Sequence, residues 1–184
     1  MTIAEYIAKQ FHTQDQLPFD TVTVQYKKGD VITAINQVEQ NAYFLQQGLI
    51  QVALMKDGEE RIIDFFMDNT FVCSYTSFLT QQPSDVEIAC LTDCILEIMP
   101  RHLLINAYED SLIANKLGRH VTEHFYVIRT QREKDFLLKT AEERYRELME
   151  DRPELFEHLP VNKIAKYLGI HPESLSRIRK KLTS

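Results

Sequence analysis

Apolar and polar positions follow different rhythms in different parts of the chain. Ile3, Ile7 and Phe11 recur every four residues, with Tyr6 on a neighbouring flank, which predicts a short amphipathic helix over residues 1–16. From about residue 19 to 98 the period falls to two. "TVTVQY" alternates, with Val22, Val24 and Tyr26 on one face. "KKGD" then turns through Gly29, and "AYFLQQGLIQVALMKDGEERIIDFF" reads as three strands separated by turns at Gly48 and at Asp57-Gly58. Asp-Gly is a strong hairpin signal, because tight hairpin turns need positive φ. "VEIACLTDCILEIM" adds two apolar runs suited to closing strands. Many short strands with regular turns predict a sandwich or barrel.

After Pro100 the turn residues thin out and the period lengthens to that of helices. A short helix and then a long one are predicted, the long one carrying Ile113, Leu117, Val121, Phe125 and Ile128 on one side. Residues 133–151 read as a further helix with Phe136, Leu137, Ala141, Tyr145 and Leu148 apolar, and Pro153 and Pro160 bracket a short piece. "VNKIAKYLGIHPESLSRIRKKL" then divides in two. Val161, Ile164, Ala165 and Leu168 share a face of one helix, and Gly169 can stop it in the left-handed conformation. Pro172 suits the first turn of the next helix, Glu173 favours its dipole, and Leu175, Ile178 and Leu182 form its apolar stripe. Two short helices joined by a glycine turn describe a helix-turn-helix, and a small Ala165 permits their close crossing.

Charge sharpens this reading. Residues 161–184 hold six Lys/Arg and one acid, a local excess of +5 in a chain of net charge −6, so the remaining residues sum to −11. A basic end on an acidic body predicts a polyanion-binding module. Ser174, Arg177 and Lys181 step along the polar face of the last helix, flanked by Glu173 and Lys180. An α-helix fits the major groove; arginine can pair with guanine and a carboxylate can accept from cytosine. Serine and lysine serve phosphates. His171 either meets a phosphate or only starts the helix. The opposing reading makes this a solvated helix, with Glu173 and Arg177 an exposed ion pair contributing about 0.3–0.5 kcal/mol.

The segments "YKKGD", "FLQQGLIQVALMKDGEERI" and "IAKYLGIHPESLSRIRKKL" resemble those of the Crp/Fnr transcription regulators over nearly the whole chain. The resemblance implies an α+β architecture: an N-terminal jelly-roll β-barrel of cyclic-nucleotide-binding type (1–108), a long dimerisation helix (109–132) and a C-terminal helix-turn-helix domain (133–184). It also implies base reading by a Glu and an Arg four apart, matched by Glu173 and Arg177, and a dimer seam along Ile113 to Ile128. Cyclic-AMP binders of that family hold the ribose with the Glu of a Gly-Glu pair and the cyclic phosphate with the Arg of an Arg-Ser pair. Cys73-Ser74 and Ser84-Asp85 stand at those places, and no Lys, Arg or His occurs from Ile62 to Pro100. An anion buried there would lack cationic partners. A response to cyclic AMP is therefore not expected. A pocket bounded by Ser74, Ser84, Asp85 and Thr130 would suit a small neutral or cationic effector, or be collapsed. "EHLPVNKIA" leaves little room for the hairpin wing that many members place before the motif.

Other chemistry finds little support. His120 and His124 have metal-compatible spacing but no evident third ligand. A cupin-type enzyme needs histidines inside the barrel, and residues 13–101 contain none. No nucleophile elbow, P-loop or dinucleotide fingerprint is present. Cys73, Cys90 and Cys94 form no CxxC pair and none precedes residue 73, so neither a metal nor a cofactor is expected. With no apolar run long enough to span a membrane and no secretory signal pattern, a cytoplasmic protein is expected. The sequence thus predicts a homodimer that binds double-stranded DNA, is not an enzyme and has an unidentified effector or none. The alternative is a degenerate sensor module whose terminal helices bind a protein.

Overall fold

The computed structural model describes residues 1–182. Strands β1 (Val22–Tyr26), β2 (Val31–Thr33), β3 (Asn41–Gln47), β4 (Ile50–Lys56), β5 (Glu59–Phe66), β6 (Thr70–Val72), β7 (Val86–Cys90) and β8 (Cys94–Pro100) form two antiparallel sheets. Their orders are β1-β8-β3-β6 and β2-β7-β4-β5, the jelly-roll arrangement of eight strands. Alternating residues of both sheets fill the space between them: Tyr43, Leu45 and Leu96 from one, Ile50, Val52 and Ile88 from the other. Cys90 and Cys94 are buried among these side chains and all three cysteines are free thiols. The turn signals fall where the strands reverse. Gly48 has φ +120°, while Asp57 and Gly58 take φ +54° and +76° between the paired Lys56 and Glu59. Val22, grouped with Val24 and Tyr26 by its alternation, is 57% exposed at the start of the edge strand β1, whereas Val24 and Tyr26 are half-buried.

Helix α1 (Ile3–Phe11) starts in a capping box, Thr2 accepting from the Glu5 amide and Glu5 from the Thr2 amide. Ile3 and Ile7 pack on Phe44 and Met99 of the first sheet. Glu97, a buried carboxylate on β8, accepts hydrogen bonds from the Ile3 amide (3.0 Å), the Thr21 hydroxyl (2.9 Å) and the Gln46 amide, so it ties the N-terminal segment to the roll. A short α2 (Tyr75–Thr80) lies between β6 and β7.

Helix α3 (Arg101–Asp110) leads through Ser111, which caps the 27-residue α4 (Leu112–Leu138). The N-terminal part of the α4 stripe is covered by the chain's own roll: Ile113 and Leu117 are buried against Phe44, Met99 and α1, with Val121 at the margin. The most exposed apolar side chains of α4 are Leu112 at its start (71% exposed) and, further along, Tyr126 (72% exposed), Val127, Leu137 and Leu138 (81% exposed). Helix α4 runs on through residue 133, where the apolar pattern suggests a new helix, to Leu138. The break comes where Lys139 turns extended and Thr140 and Glu143 form a second capping box, opening α5 (Ala141–Asp151). Neither proline nor glycine lies between Gly118 and Pro153, so the T-x-x-E cap alone marks this boundary.

The chain ends in α6 (Leu155–His158), α7 (Val161–Leu168) and α8 (Pro172–Leu182). Leu159 and Pro160 alone join α6 to α7. No described helix is long and apolar enough to cross a membrane.

Candidate nucleic-acid interface

The last two helices are set by their turn. Gly169 takes φ +71°, its amide donates to the Lys166 carbonyl (3.2 Å) and the Ile170 amide to the Ala165 carbonyl (3.0 Å). This is the Schellman end of α7. The His171 carbonyl then accepts from the Ser174 and Leu175 amides, so His171 opens α8 and Pro172 occupies its first turn. Ala165 and Leu175, both fully buried, sit in the cluster that joins the two helices to α5 and to β4 and β5.

Burying that stripe turns the polar face outward. His171, Glu173, Arg177, Lys180 and Lys181 are exposed and Ser174 half-buried. Arg177 Nη2 lies 3.4 Å from the Ser174 hydroxyl, and no ion pair joins it to Glu173 among the described residues. Lys181 donates to Glu142 at the start of α5 (2.7 Å), which with Arg146 holds that carboxylate below its usual range. The face thus offers a carboxylate, a hydroxyl and cations over about three turns of one helix, the donor and acceptor set a major groove can take.

Two cations of the basic end are used differently. Lys163 and Lys166, on α7, reach Glu60 of β5 at 2.9 Å and 3.2 Å, and Lys163 also donates to Gln51 (2.6 Å). Arg152 pairs with Asp64 of β5 (2.8 Å). These bridges, around an apolar contact of Leu49, Ala53, Ile62 and Phe65 with α5 and α7, dock the helical domain on the roll. Sequence spacing cannot find such pairs, because the partners lie about a hundred residues apart. The start of α8 lies across a groove from the β4–β5 hairpin, which carries Glu59 and Glu60.

Burial raises the Glu60 pKa, but hydrogen bonds from Lys163, Gln51 and Lys166 outweigh it and hold the carboxyl below its ordinary 4.5. A depressed carboxylate contributes stability above its unfolded pKa and loses it as pH falls through the folded one. Glu60→Gln is expected to weaken docking by about 1–2 kcal/mol at pH 7, between the values for exposed and buried pairs. Hydrogen exchange of β5 and α7 should rise accordingly. The difference from wild type should shrink on acidification below 4.5; a difference that persists there would assign the effect to packing instead.

The four pocket residues are not gathered into one site. Ser74 and Ser84 are buried and hydrogen-bonded to each other at 2.7 Å, with Ser84 also donating to the Val86 carbonyl. Asp85 is exposed and Thr130 half-buried on α4, and no hydrogen bond joins either to the serine pair among the described residues. His120 accepts or donates through Nε2 to the Tyr6 hydroxyl (3.0 Å) and stacks on His124. The described residues contain no cluster of metal-ligating side chains.

Known proteins share this architecture. Residues 23–111 match the cyclic nucleotide-binding domain family. FixK2 from Bradyrhizobium japonicum superposes with a TM-score of 0.72 and 19% identity, over 90% of this chain and 85% of that one. CLP from Xanthomonas campestris, described as a c-di-GMP responsive global regulator, gives 0.71 and 16%, over 89% and 86%. A protein from Eubacterium rectale described as a transcriptional regulator of the crp/fnr family gives 0.72 and 16%, over 100% and 83%. No curated protein matches the sequence. Residues 23–111 are thus similar to the cyclic nucleotide-binding domain family, and the chain has the fold of the Crp/Fnr transcription regulators.

Proposed function

We propose that this protein is a homodimeric transcription regulator that reads specific DNA sequences with α8 and does not respond to cyclic AMP. The observation that carries the reading is the outward face of α8, with Glu173, Ser174, Arg177 and Lys180 presented on a helix-turn-helix in an otherwise acidic chain. The global regulator CLP and the Eubacterium rectale protein described as a crp/fnr transcriptional regulator, which share the fold, support it. Arg177 and Glu173 read base edges; Ser174, Lys180, Lys181 and His171 meet phosphates. The exposed apolar side chains Tyr126, Leu137 and Leu138 of α4 supply the seam for a second copy. Paired long helices would place two α8 helices in successive major grooves, roughly 34 Å apart. The serine pair that closes the place of the family's phosphate-binding residues, with no cation from Ile62 to Pro100, argues against cyclic-AMP binding.

Selection of bound duplexes from random DNA tests the reading. A palindromic site is expected, with affinity falling steeply as salt rises. Arg177→Ala should cost about 1–3 kcal/mol on that site and relax one position per half-site. Failure to enrich any duplex, with retention of a protein partner by α8 instead, would favour a sensor module over a DNA reader.

A further inference from the structure

A cleft lies between β5 and β6, the second half of α4, and helices α5 and α7. Its volume is about 610 Å³. Clefts of roughly 300–1,000 Å³ hold small organic ligands. Much of the wall is aromatic: Phe66, Phe71, Phe125, Phe136 and Tyr167. Its acids are spoken for or open to water. Asp64 pairs with Arg152, Asp135 and Glu147 pair with Lys139, Asp151 is exposed and Glu154 half-buried.

Two cations in the same wall have no such partner. Arg132 donates to the Tyr167 carbonyl (2.8 Å), and Arg144 to the carbonyls of Lys139 (2.6 Å) and Leu168 (3.0 Å). Neither forms an ion pair among the described residues. Both guanidiniums approach the ring of Phe136, at 4.9 and 4.5 Å, and Arg132 also lies 3.9 Å from the centre of Tyr167. Arg144 Nε is buried without a hydrogen-bond partner. Burial first, and then the charge of Arg132, lower the Arg144 pKa. Two guanidiniums on one phenylalanine ring, neither in an ion pair among the described residues and with Asp135, already paired with Lys139, as the carboxylate that acts on both, give this aromatic cleft the character of a receptor for an anion on a flat apolar body.

We propose that this cleft binds a small amphipathic organic anion, with the chemistry of an aromatic carboxylate or sulfonate. Its charged group would sit against Arg132 and Arg144 and its ring among Phe66, Phe125 and Tyr167. This site is separate from the roll's interior and from α8, so the inference does not rest on the DNA-binding reading. A ligand there touches the roll, α4 and the helical domain together and would strengthen their docking.

Anilinonaphthalene sulfonate and its uncharged analogue N-phenylnaphthylamine test the assignment on the full chain. Saturable fluorescence with one sulfonate site per chain is expected. Arg144→Met should weaken the sulfonate by about tenfold or more while leaving the neutral dye within about twofold. Because Arg144 also binds the Lys139 and Leu168 carbonyls, Arg132→Met is measured beside it, and the same charge-selective loss is expected. Retained binding of the neutral dye certifies that the cleft is intact. No saturable site, equal loss of both dyes in both variants, or unchanged sulfonate affinity in both would overturn the proposal. So would a sulfonate affinity that falls as the protein is concentrated, which would put a second copy in the cleft.

Discussion

Gly48→Ala is expected to destabilise the roll by about 3–5 kcal/mol, the sum of backbone strain and overpacking. Gly48 holds φ +120°, a conformation that L residues rarely adopt. A Cβ there would also lie 2.5 Å from Cys94 Sγ, 2.8 Å from the Asp93 carbonyl oxygen and 3.0 Å from Cys94 Cα. Two of those three atoms are backbone of β8 and its turn, and they cannot swing aside as a surface side chain would. Gly58 provides the control. Its φ is +76°, but a Cβ there meets nothing within 4 Å. Gly58→Ala should therefore cost only the local strain, about 1 kcal/mol. Denaturant unfolding of the two variants distinguishes the contributions. Equal losses would mean that the close approach of Gly48 to β8 does not matter, and that only the turn conformation does.

The same pair of glycines shows why the roll was legible. Turn chemistry and period-two alternation are local: the Asp57-Gly58 turn pairs β4 with β5 as a hairpin, and the Gly48 turn passes the chain from β3 in one sheet to β4 in the other. The helix-turn-helix was legible for the same reason: Gly169, Pro172 and the two apolar stripes lie within about twenty residues. The junction between the two parts was not. Glu60 with Lys163 and Lys166, and Asp64 with Arg152, join segments that only the fold brings together. Lys163 and Lys166 counted toward the basic end, yet both face the roll. The stripe from Ile113 to Ile128 looked uniform, but its burial falls along the helix: Ile113 and Leu117 are buried on the roll, Phe125 meets Phe66 and Tyr75 while half-buried, and Ile128 is exposed. The boundary at Thr140 carried a readable signal, the capping box with Glu143, that apolar periodicity alone passes over. The arginine cleft left little local trace: Arg132 and Phe136 stand four apart on α4, but Arg144 and Tyr167 join them only once α5 and α7 fold back on that helix.

Leu175→Ala should separate folding from reading. Leu175 is fully buried on the inner face of α8, in one cluster with Ile164, Ala165 and Leu168 of α7, Tyr145 and Leu148 of α5, and Leu49, Ala53, Ile62 and Phe65 of the roll. Removing its branched end should cost about 2–5 kcal/mol, the transfer free energy plus the cavity left behind. The loss falls on the helical domain and its docking, because the inter-sheet cluster around Leu45, Ile50 and Leu96 is a different one. Hydrogen exchange should therefore rise in α7 and α8 while β3 and β8 stay protected, and DNA binding should fail for every sequence alike. Arg177→Ala removes an exposed side chain and should leave stability within about 0.5 kcal/mol while changing base preference. The two variants sit two residues apart on one helix, so opposite outcomes would assign the inner face to structure and the outer face to recognition. Loss of protection across the whole roll in Leu175→Ala would instead make the two parts one cooperative unit, with the docking interface as essential to the roll as its own core.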